Sequence, residues 1–413
     1  MQATRVSDGI HWVGAIDWNL RDFHGFETPN GTTYNAYLVQ GADKTALVDT
    51  VKLQFVPELL ERIVEVVTLD TIDYIVVNHV EPDHNSGLRA VMEAMPQAKV
   101  VASSGGVKGI AGYHGPDLKV DAVGPDDVID LGGKTLRFLP MPMVHWPDSM
   151  FTFCAESGTL MPNDAFGQHL ATSERFADEI DLKLAVEELV IYYANILTPV
   201  ATAVGKSISK IIDQGWVCDV IAPSHGVIWR HDQIPTVFDT YDRLIAEETD
   251  DKIVIVYSTM WGSTDVLARE IADGAAAEGV DVALFDIALS SLANITRHMV
   301  DARALLVGSP TLHHGMLYRV AGLLQYLSGI KLKNKIGGAF GSFGWSGGAT
   351  KQMSARLEEI GFELPYEALT CRYKPSGDDI AAARAWGAQY AQLVKARGAA
   401  DDKPASTQER GAE

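Results

Sequence analysis

The stretch "NHVEPDHNSG", residues 78–87, places His79, Glu81, Asp83 and His84 within six positions, directly after the apolar run "DYIVV". Imidazoles and carboxylates are poor residues to send from a strand end into a protein interior unless something pairs with them. Metal ions would do so. Three more residues of ligand type stand where an apolar run breaks into a loop: His145 in "MPMVHWPDS", Asp164 in "LMPNDAFG" and His225 in "APSHG". Loops at one edge of a scaffold bring distant segments together. Four imidazoles and three carboxylates suffice for two ions about 3.5–4 Å apart, with Asp164 or a solvent oxygen shared between them. A nitrogen and oxygen set without sulfur suits iron, manganese or zinc. Taken singly, His145 or His225 reads as a hydrogen-bonded structural residue and the 79–84 cluster as a solvated turn. The seven together, all in strand-end loops, do not. His24 and His169 are candidates for groups around the ligands, and Tyr193 in "IYYANI" for donating a hydrogen bond to a bound intermediate, although a tyrosine on a helix is usually core.

A second constellation lies further along. After "KIVIVY" comes "STMWGST", that is Ser258, Thr259, Met260, Trp261, Gly262, Ser263 and Thr264, followed by the helical pattern "DVLAREIADG". Hydroxyls and backbone N–H groups at a helix N-terminus form a phosphate site that needs no positive charge. The loop is not a nucleoside-triphosphate P-loop, since it has no Gly-Lys pair; "AVGKSIS" has Val200 where that motif needs glycine, and it reads as helix. Two further loops leave apolar strands: "SPTLHHGML", with Pro310, Thr311, Leu312, His313, His314 and Gly315, and "SFGWSGGA", with Ser342, Phe343, Gly344, Trp345, Ser346 and Gly347. In a doubly wound sheet the ligand crevice lies at the carboxyl ends of the strands. Trp261 and Trp345 offer flat faces to an isoalloxazine, and the three loops together point to a mononucleotide, FMN above others.

The elements that must position these groups fall into two textures. Up to about residue 150 the chain reads as short β-type runs such as "TTYNAYLVQG", "KTALVDT" and "KTLRFLPMPMV", with helical patterns between them, and from 178 to 213 helical periodicity dominates. From 252 onward strands and helices alternate regularly, which implies βαβ units and a parallel sheet covered on both faces. The spacing therefore predicts an α/β chain with domains at 1–250 and 251–397, and a tail, 398–413, without the large apolar residues a core requires and expected to be disordered. At 413 residues, 47% hydrophobic and 21% charged, two domains are the natural reading. A net charge of -20 argues against nucleic acid and anionic membrane surfaces. The three cysteines form no CxxC pair, so neither a disulfide framework nor a thiolate metal site is expected, and a reducing cytoplasm fits. The start of the chain lacks a signal-like apolar region, and no run suggests a bilayer span.

These two constellations, in this order, resemble the flavodiiron proteins, the A-type flavoproteins, over nearly the whole chain. The first domain is similar to the metallo-β-lactamase fold, an αββα sandwich, with Glu81 where the zinc hydrolases of that fold carry histidine. The resemblance implies a non-haem diiron site in which His79, Glu81 and His145 hold one iron, Asp83, His84 and His225 the other, and Asp164 bridges. It implies a flavodoxin-like second domain with FMN, and reduction of O2 to water, of nitric oxide to nitrous oxide, or both. The chain ends without the rubredoxin-like or flavin-reductase extension of some members, so an external donor of rubredoxin, ferredoxin or flavoprotein type is expected. So is a head-to-tail homodimer, possibly paired into a dimer of dimers, in which the flavin of one chain serves the irons of the other. Two other readings stay open at this point: a dizinc hydrolase fused to a flavodoxin module, which Glu81 disfavours, and a non-catalytic electron carrier or gas sensor, for which no signalling segment is visible.

Overall fold

The computed structural model describes residues 2–401, and the chain divides between Ala246 and Glu247 into two compact units. In the first unit seven strands form one sheet in the order Thr4–Ser7, Ile10–Trp12, Tyr37–Gln40, Thr45–Val48, Ile72–Val77, Lys99–Ala102 and Val120–Ala122. The first four pair antiparallel and the rest parallel. A six-stranded sheet follows, in the order Val128–Asp130, Thr135–Pro140, Met150–Cys154, Thr159–Met161, Val220–Ile221 and Trp229–Arg230.

Side-chain alternation along these strands builds three layers of core from one set of segments. Tyr37, Val39, Val48 and Val76 point between the sheets and meet Leu136, Phe138, Met150 and Met161. Their neighbours Leu38, Leu47, Ile75 and Val77 point the other way, against Leu59 and Ile63 of the helix Val56–Val64, Leu88 and Val91 of Leu88–Ala94, and Ile110 of Ser104–His114. On the far side Phe151, Phe153 and Leu160 pack on Leu189, Val204, Ile208 and Val237, which come from the helices Leu182–Tyr192, Ala201–Asp213 and Gln233–Ile245. The result is the αββα sandwich. Because most strands are buried on both faces, they read in the sequence as continuous apolar runs.

The helical stretch Leu182–Asp213 is long and apolar enough to cross a membrane by composition, contrary to the sequence-based expectation, but 56% of its apolar window is buried inside the protein. Its Leu189, Tyr192, Leu197, Val204 and Ile208 all belong to the outer core of the second sheet. It is a core helix.

The second unit is a five-stranded parallel sheet in the order Asp281–Asp286, Asp250–Tyr257, Ala302–Gly308, Ile336–Phe343 and Leu369–Arg372. Ile253, Ile255, Ala304 and Leu306 face the helices Ser263–Ala277 and Gly377–Asp401, through Leu267, Ile271, Trp386 and Tyr390. The alternate residues Val254, Val256, Leu305 and Val307 are as fully buried, so both faces are covered. The order reverses between the strands Asp250–Tyr257 and Ala302–Gly308, and the loops that follow them lie at that switch point. The last helix corrects the expected start of the tail: it runs through Asp401, because the alanines after Arg397 extend a helix readily. Residues 402–413, the remainder of that tail, lie outside the described residues.

Candidate functional site

Each ligand-type residue sits just past the end of a strand, where the ladder stops and the backbone turns. His79 lies beyond Ile72–Val77, and Glu81 caps the one-turn helix Pro82–Asn85 that carries Asp83 and His84. His145 comes from the loop before Met150–Cys154, Asp164 from the loop after Thr159–Met161, and His225 from the loop after Val220–Ile221. The fold gathers all seven into two groups, His79, Glu81, His145 and Asp164, and Asp83, His84 and His225, with one donor atom of every member within 4.8 Å of the others in its group.

Asp164 faces both. Its Oδ2 lies 3.1 Å from Nε2 of His145 and 3.5 Å from Nε2 of His79, while its Oδ1 lies 3.0 Å from Nε2 of His84 and 3.5 Å from Nε2 of His225. Oε2 of Glu81 completes the first group at 3.2–3.3 Å from its two imidazoles, and Oδ2 of Asp83 completes the second at 3.2–3.4 Å. Both carboxylate oxygens of Asp83 and Asp164, both ring nitrogens of His84 and Nε2 of His145 are buried with no hydrogen-bond partner among the described residues. Such atoms are costly unless an ion or water satisfies them. Two N2O2 sets sharing one carboxylate fit a pair of divalent ions.

The scaffold fixes these groups by contacts remote in sequence. Asn78 donates to both carboxylate oxygens of Asp49, at 2.8 Å from its N–H and 3.1 Å from its side chain, and accepts from Thr152 at 2.7 Å. The turn bearing His225 is clamped by alternate residues of the segment that forms Thr32–Tyr34 and Tyr37–Gln40. Nδ1 of His225 donates to the carbonyl of Thr33 at 2.7 Å, the side chain of Asn35 donates to the carbonyls of Pro223 and Gly226 at 2.8 and 3.1 Å, and Tyr37 donates to Pro223 at 2.7 Å. Gly226 has φ +77°, and a Cβ there would meet Oε1 of Gln168 at 2.1 Å, so only glycine fits. The loop of Asp164 is held by Tyr241, whose hydroxyl accepts from the N–H of Phe166 at 2.5 Å, and by Trp229, which donates to the Phe166 carbonyl at 2.9 Å.

The electrostatics follow from burial. Burial opposes protonation of His79, but the hydrogen bond to Asp148 and the facing Glu81 outweigh it and push its pKa up to about 10. For His84, burial is outweighed by Asp83 and Asp164, to about 9, and for His145 by Asp164 and Glu81, to about 10. Burial likewise opposes ionisation of Asp83 and Asp164, yet the surrounding imidazoles hold both below the usual carboxylate range. Without an ion this cluster therefore carries protons. A metal replaces them, because a ligating imidazole nitrogen must be unprotonated.

Of the groups expected around the ligands, His24 reaches the centre directly: its Nε2 pairs with Oε1 of Glu81, the oxygen turned away from the other imidazoles. His169 hydrogen-bonds Thr32 at 3.0 Å through Nδ1 and lies 5.1 Å, ring to ring, from His225. Burial, then the charges of His225 and His24, hold its pKa well below the usual value. Tyr193 packs edge-on against Tyr241 at 5.2 Å, whereas its neighbour Tyr192 presents its ring to His169 at 4.9 Å and His225 at 5.9 Å. The α-helix ends at Tyr192 and a π-turn, Tyr193–Leu197, follows, and both tyrosines are buried. Asp148 was not singled out, although it stands three residues after His145 in the same loop.

In the second unit the three expected loops surround one cavity of about 870 Å³. Thr259, Met260, Trp261, Ser263, Pro310, Thr311, Leu312, His313, His314, Ser342, Phe343, Gly344, Trp345 and Ser346 line it, joined by Tyr373, which the sequence reading missed. Ser258, Gly262, Thr264, Gly315 and Gly347, expected with them, belong to the same three loops but are not among the lining residues. Ser258 is buried with its N–H on the Gly308 carbonyl at 3.0 Å. Thr264 pairs with Ser342 at 3.1 Å, and Gly262, at φ +86°, donates to the hydroxyl of Thr259 at 3.1 Å. The turn at His313 and His314 has positive φ at both residues, between the reciprocal hydrogen bonds of Leu312 and Gly315 at 2.9 Å. The helix Ser263–Ala277 opens at the cavity, which suits an anionic phosphate, while the apolar rims of Trp261 and Trp345 suit a flat ring.

Comparison with known proteins agrees with both halves. Residues 32–226 match the model of the ODP family beta lactamase, and residues 255–387 match that of flavodoxin. The nitric oxide reductase of Moorella thermoacetica is 43% identical, over 92% of this chain and 96% of its own length. Among solved structures, rubredoxin oxygen:oxidoreductase from Desulfovibrio gigas is 41% identical with a TM-score of 0.93, covering 96% of this chain and 100% of that one. The flavodiiron protein from Giardia intestinalis is 32% identical with a TM-score of 0.94, covering 98% and 99%.

Proposed function

From the premise that this chain belongs to the flavodiiron protein family, we propose that it is an FMN- and diiron-dependent oxidoreductase of the cytoplasm that reduces nitric oxide to nitrous oxide, O2 to water, or both. The observation that carries this reading is the orientation of Asp164, with one oxygen toward each pair of imidazoles. Ligands at sites of this kind leave coordination positions for a small diatomic substrate. When bound, FMN would supply the exchange of single electrons and pairs, and the irons would supply the redox chemistry toward the gas. The residues supply the frame: the seven ligands hold the metals, His24 fixes the second oxygen of Glu81, and buried aromatic rings such as Tyr192 and Phe23 wall the centre from water. Relatives named for nitric oxide and for oxygen reduction support both substrates. The carboxylate of Glu81 in a position that zinc hydrolases of this fold give to histidine weighs against a dizinc hydrolase.

The donor is read as a small redox protein of rubredoxin type, after the name of the Desulfovibrio relative. Trp261, Trp345 and Tyr373 stand 92%, 86% and 59% exposed at the cavity, an apolar rim of the kind that protein partners cover. Reduced rubredoxin should therefore sustain turnover, and Trp345→Glu, at a residue that also lines the flavin cavity, should impair turnover with rubredoxin more than turnover with a chemical reductant. Equal loss with both reductants would place the effect on the flavin itself.

We read the working unit as a head-to-tail homodimer, supported by the family resemblance and by the short link, residues 246–249, between the helix Gln233–Ile245 and the strand Asp250–Tyr257. A chain with His225→Ala, deficient in iron, and a chain with Thr259→Ala and Ser263→Ala, deficient in flavin, are each expected to be inactive. Co-purified heterodimers should recover up to about half the activity, since a two-fold assembly then contains one complete pair of flavin and irons. Inactive heterodimers of confirmed iron and flavin content would place electron transfer within one chain.

A further inference from the structure

The imidazoles of the two metal positions are backed differently. Nδ1 of His79 donates to Oδ2 of Asp148 at 2.8 Å, and the same oxygen accepts the backbone N–H of Val80 at 2.8 Å. Asp148 is buried, its carbonyl accepts from Ser103 at 2.6 Å, and Gly105 comes so close that a Cβ there would lie 2.8 Å from its Cα. The carboxylate is thus locked behind His79. In the other position Nδ1 of His225 donates to a neutral backbone carbonyl, that of Thr33, and Nδ1 of His84 has no partner among the described residues.

A carboxylate on the far nitrogen fixes the tautomer so that the lone pair of Nε2 faces the metal, and it makes the imidazole a more basic donor. In a buried site with little water to screen it, that negative charge also attracts the cation itself. We propose that Asp148 is a positioning residue that makes the two metal positions unequal. Through His79 it tightens the hold of the position built from His79, Glu81 and His145 on a divalent ion, and it gives nothing to the position built from Asp83, His84 and His225. This rests on the reading of those residues as metal ligands.

The test isolates each position in the full-length chain. Asp83→Ala with His225→Ala leaves only the position backed by Asp148, and Glu81→Ala with His145→Ala leaves only the other. Fe2+ affinity is measured anaerobically by chelator competition in each background, with Asp148 intact and with Asp148→Asn, which keeps the shape and an acceptor for Val80. In the first background Asp148→Asn should weaken Fe2+ binding by about 10–100-fold, the usual cost of losing a partner behind a metal-bound histidine. In the second it should change nothing. An equal loss in both backgrounds would mean a general structural role, and no loss in either would mean that the charge of Asp148 is irrelevant; each overturns the proposal. If neither background binds Fe2+ while FMN content stays normal, the assignment of the ligands fails first. Should Asp148→Asn not fold, Asp148→Ser carries the same comparison with a neutral acceptor.

Discussion

Asp164→Ala is expected to strip both irons and abolish gas reduction while the flavin stays bound. The side chain is the only one of the seven whose two oxygens address different groups, at 3.0–3.5 Å from four imidazole nitrogens. Its loss removes an oxygen ligand from each ion and a negative charge from between two cations. Metal affinity should fall by more than the roughly 10–100-fold that an outer partner costs, which is enough to empty both positions during purification. Apolar packing should survive, because the loop is also held by Tyr241 and Trp229 at Phe166. FMN should be unaffected, because the three loops that line its cavity belong to the second unit, with its own core. Iron analysis beside the flavin spectrum checks this, and near-stoichiometric iron in the variant would remove Asp164 from the centre.

Thr259→Ala combined with Ser263→Ala should cost the protein its flavin instead. Both residues line the cavity, Ser263 opens the helix Ser263–Ala277, and the hydroxyl of Thr259 also accepts from the N–H of Gly262, which turns the loop. A hydrogen bond to a charged acceptor contributes about 1.5–3 kcal/mol. Two of them together correspond to flavin binding weaker by roughly a hundredfold to ten-thousandfold. Titration of the apoprotein with FMN, followed by quenching of flavin fluorescence, measures the change. An unaltered dissociation constant would put the phosphate elsewhere.

The candidate ligands were legible because seven residues of that chemistry do not gather after four apolar segments without a reason, and the flavin loops because each follows a buried parallel strand. What was hidden depends on pairings that no local pattern records. Thr33 reaches Gly226 across 193 residues, so the clamp on His225 could not be seen, and the division of the oxygens of Asp164 between two groups exists only once four loops converge. Tyr192, whose ring faces His169 and His225, was not singled out, because nothing in the local sequence distinguishes two adjacent tyrosines. Tyr373 was missed because it directly follows the strand Leu369–Arg372 and reads as its continuation, ahead of Ser376 and Gly377. The order of the strands in the two sheets of the first unit was equally hidden, since runs buried on both faces carry no mark of which sheet they join.

The most direct test of the account uses protein of measured iron and FMN content, reduced without air and mixed in parallel with nitric oxide and with O2. Nitrous oxide, or water formed without hydrogen peroxide, should appear over many turnovers, at rates far above those of Asp164→Ala protein with the same flavin content. Wild-type protein with two irons and one FMN per chain that reduces neither gas faster than that variant would contradict it.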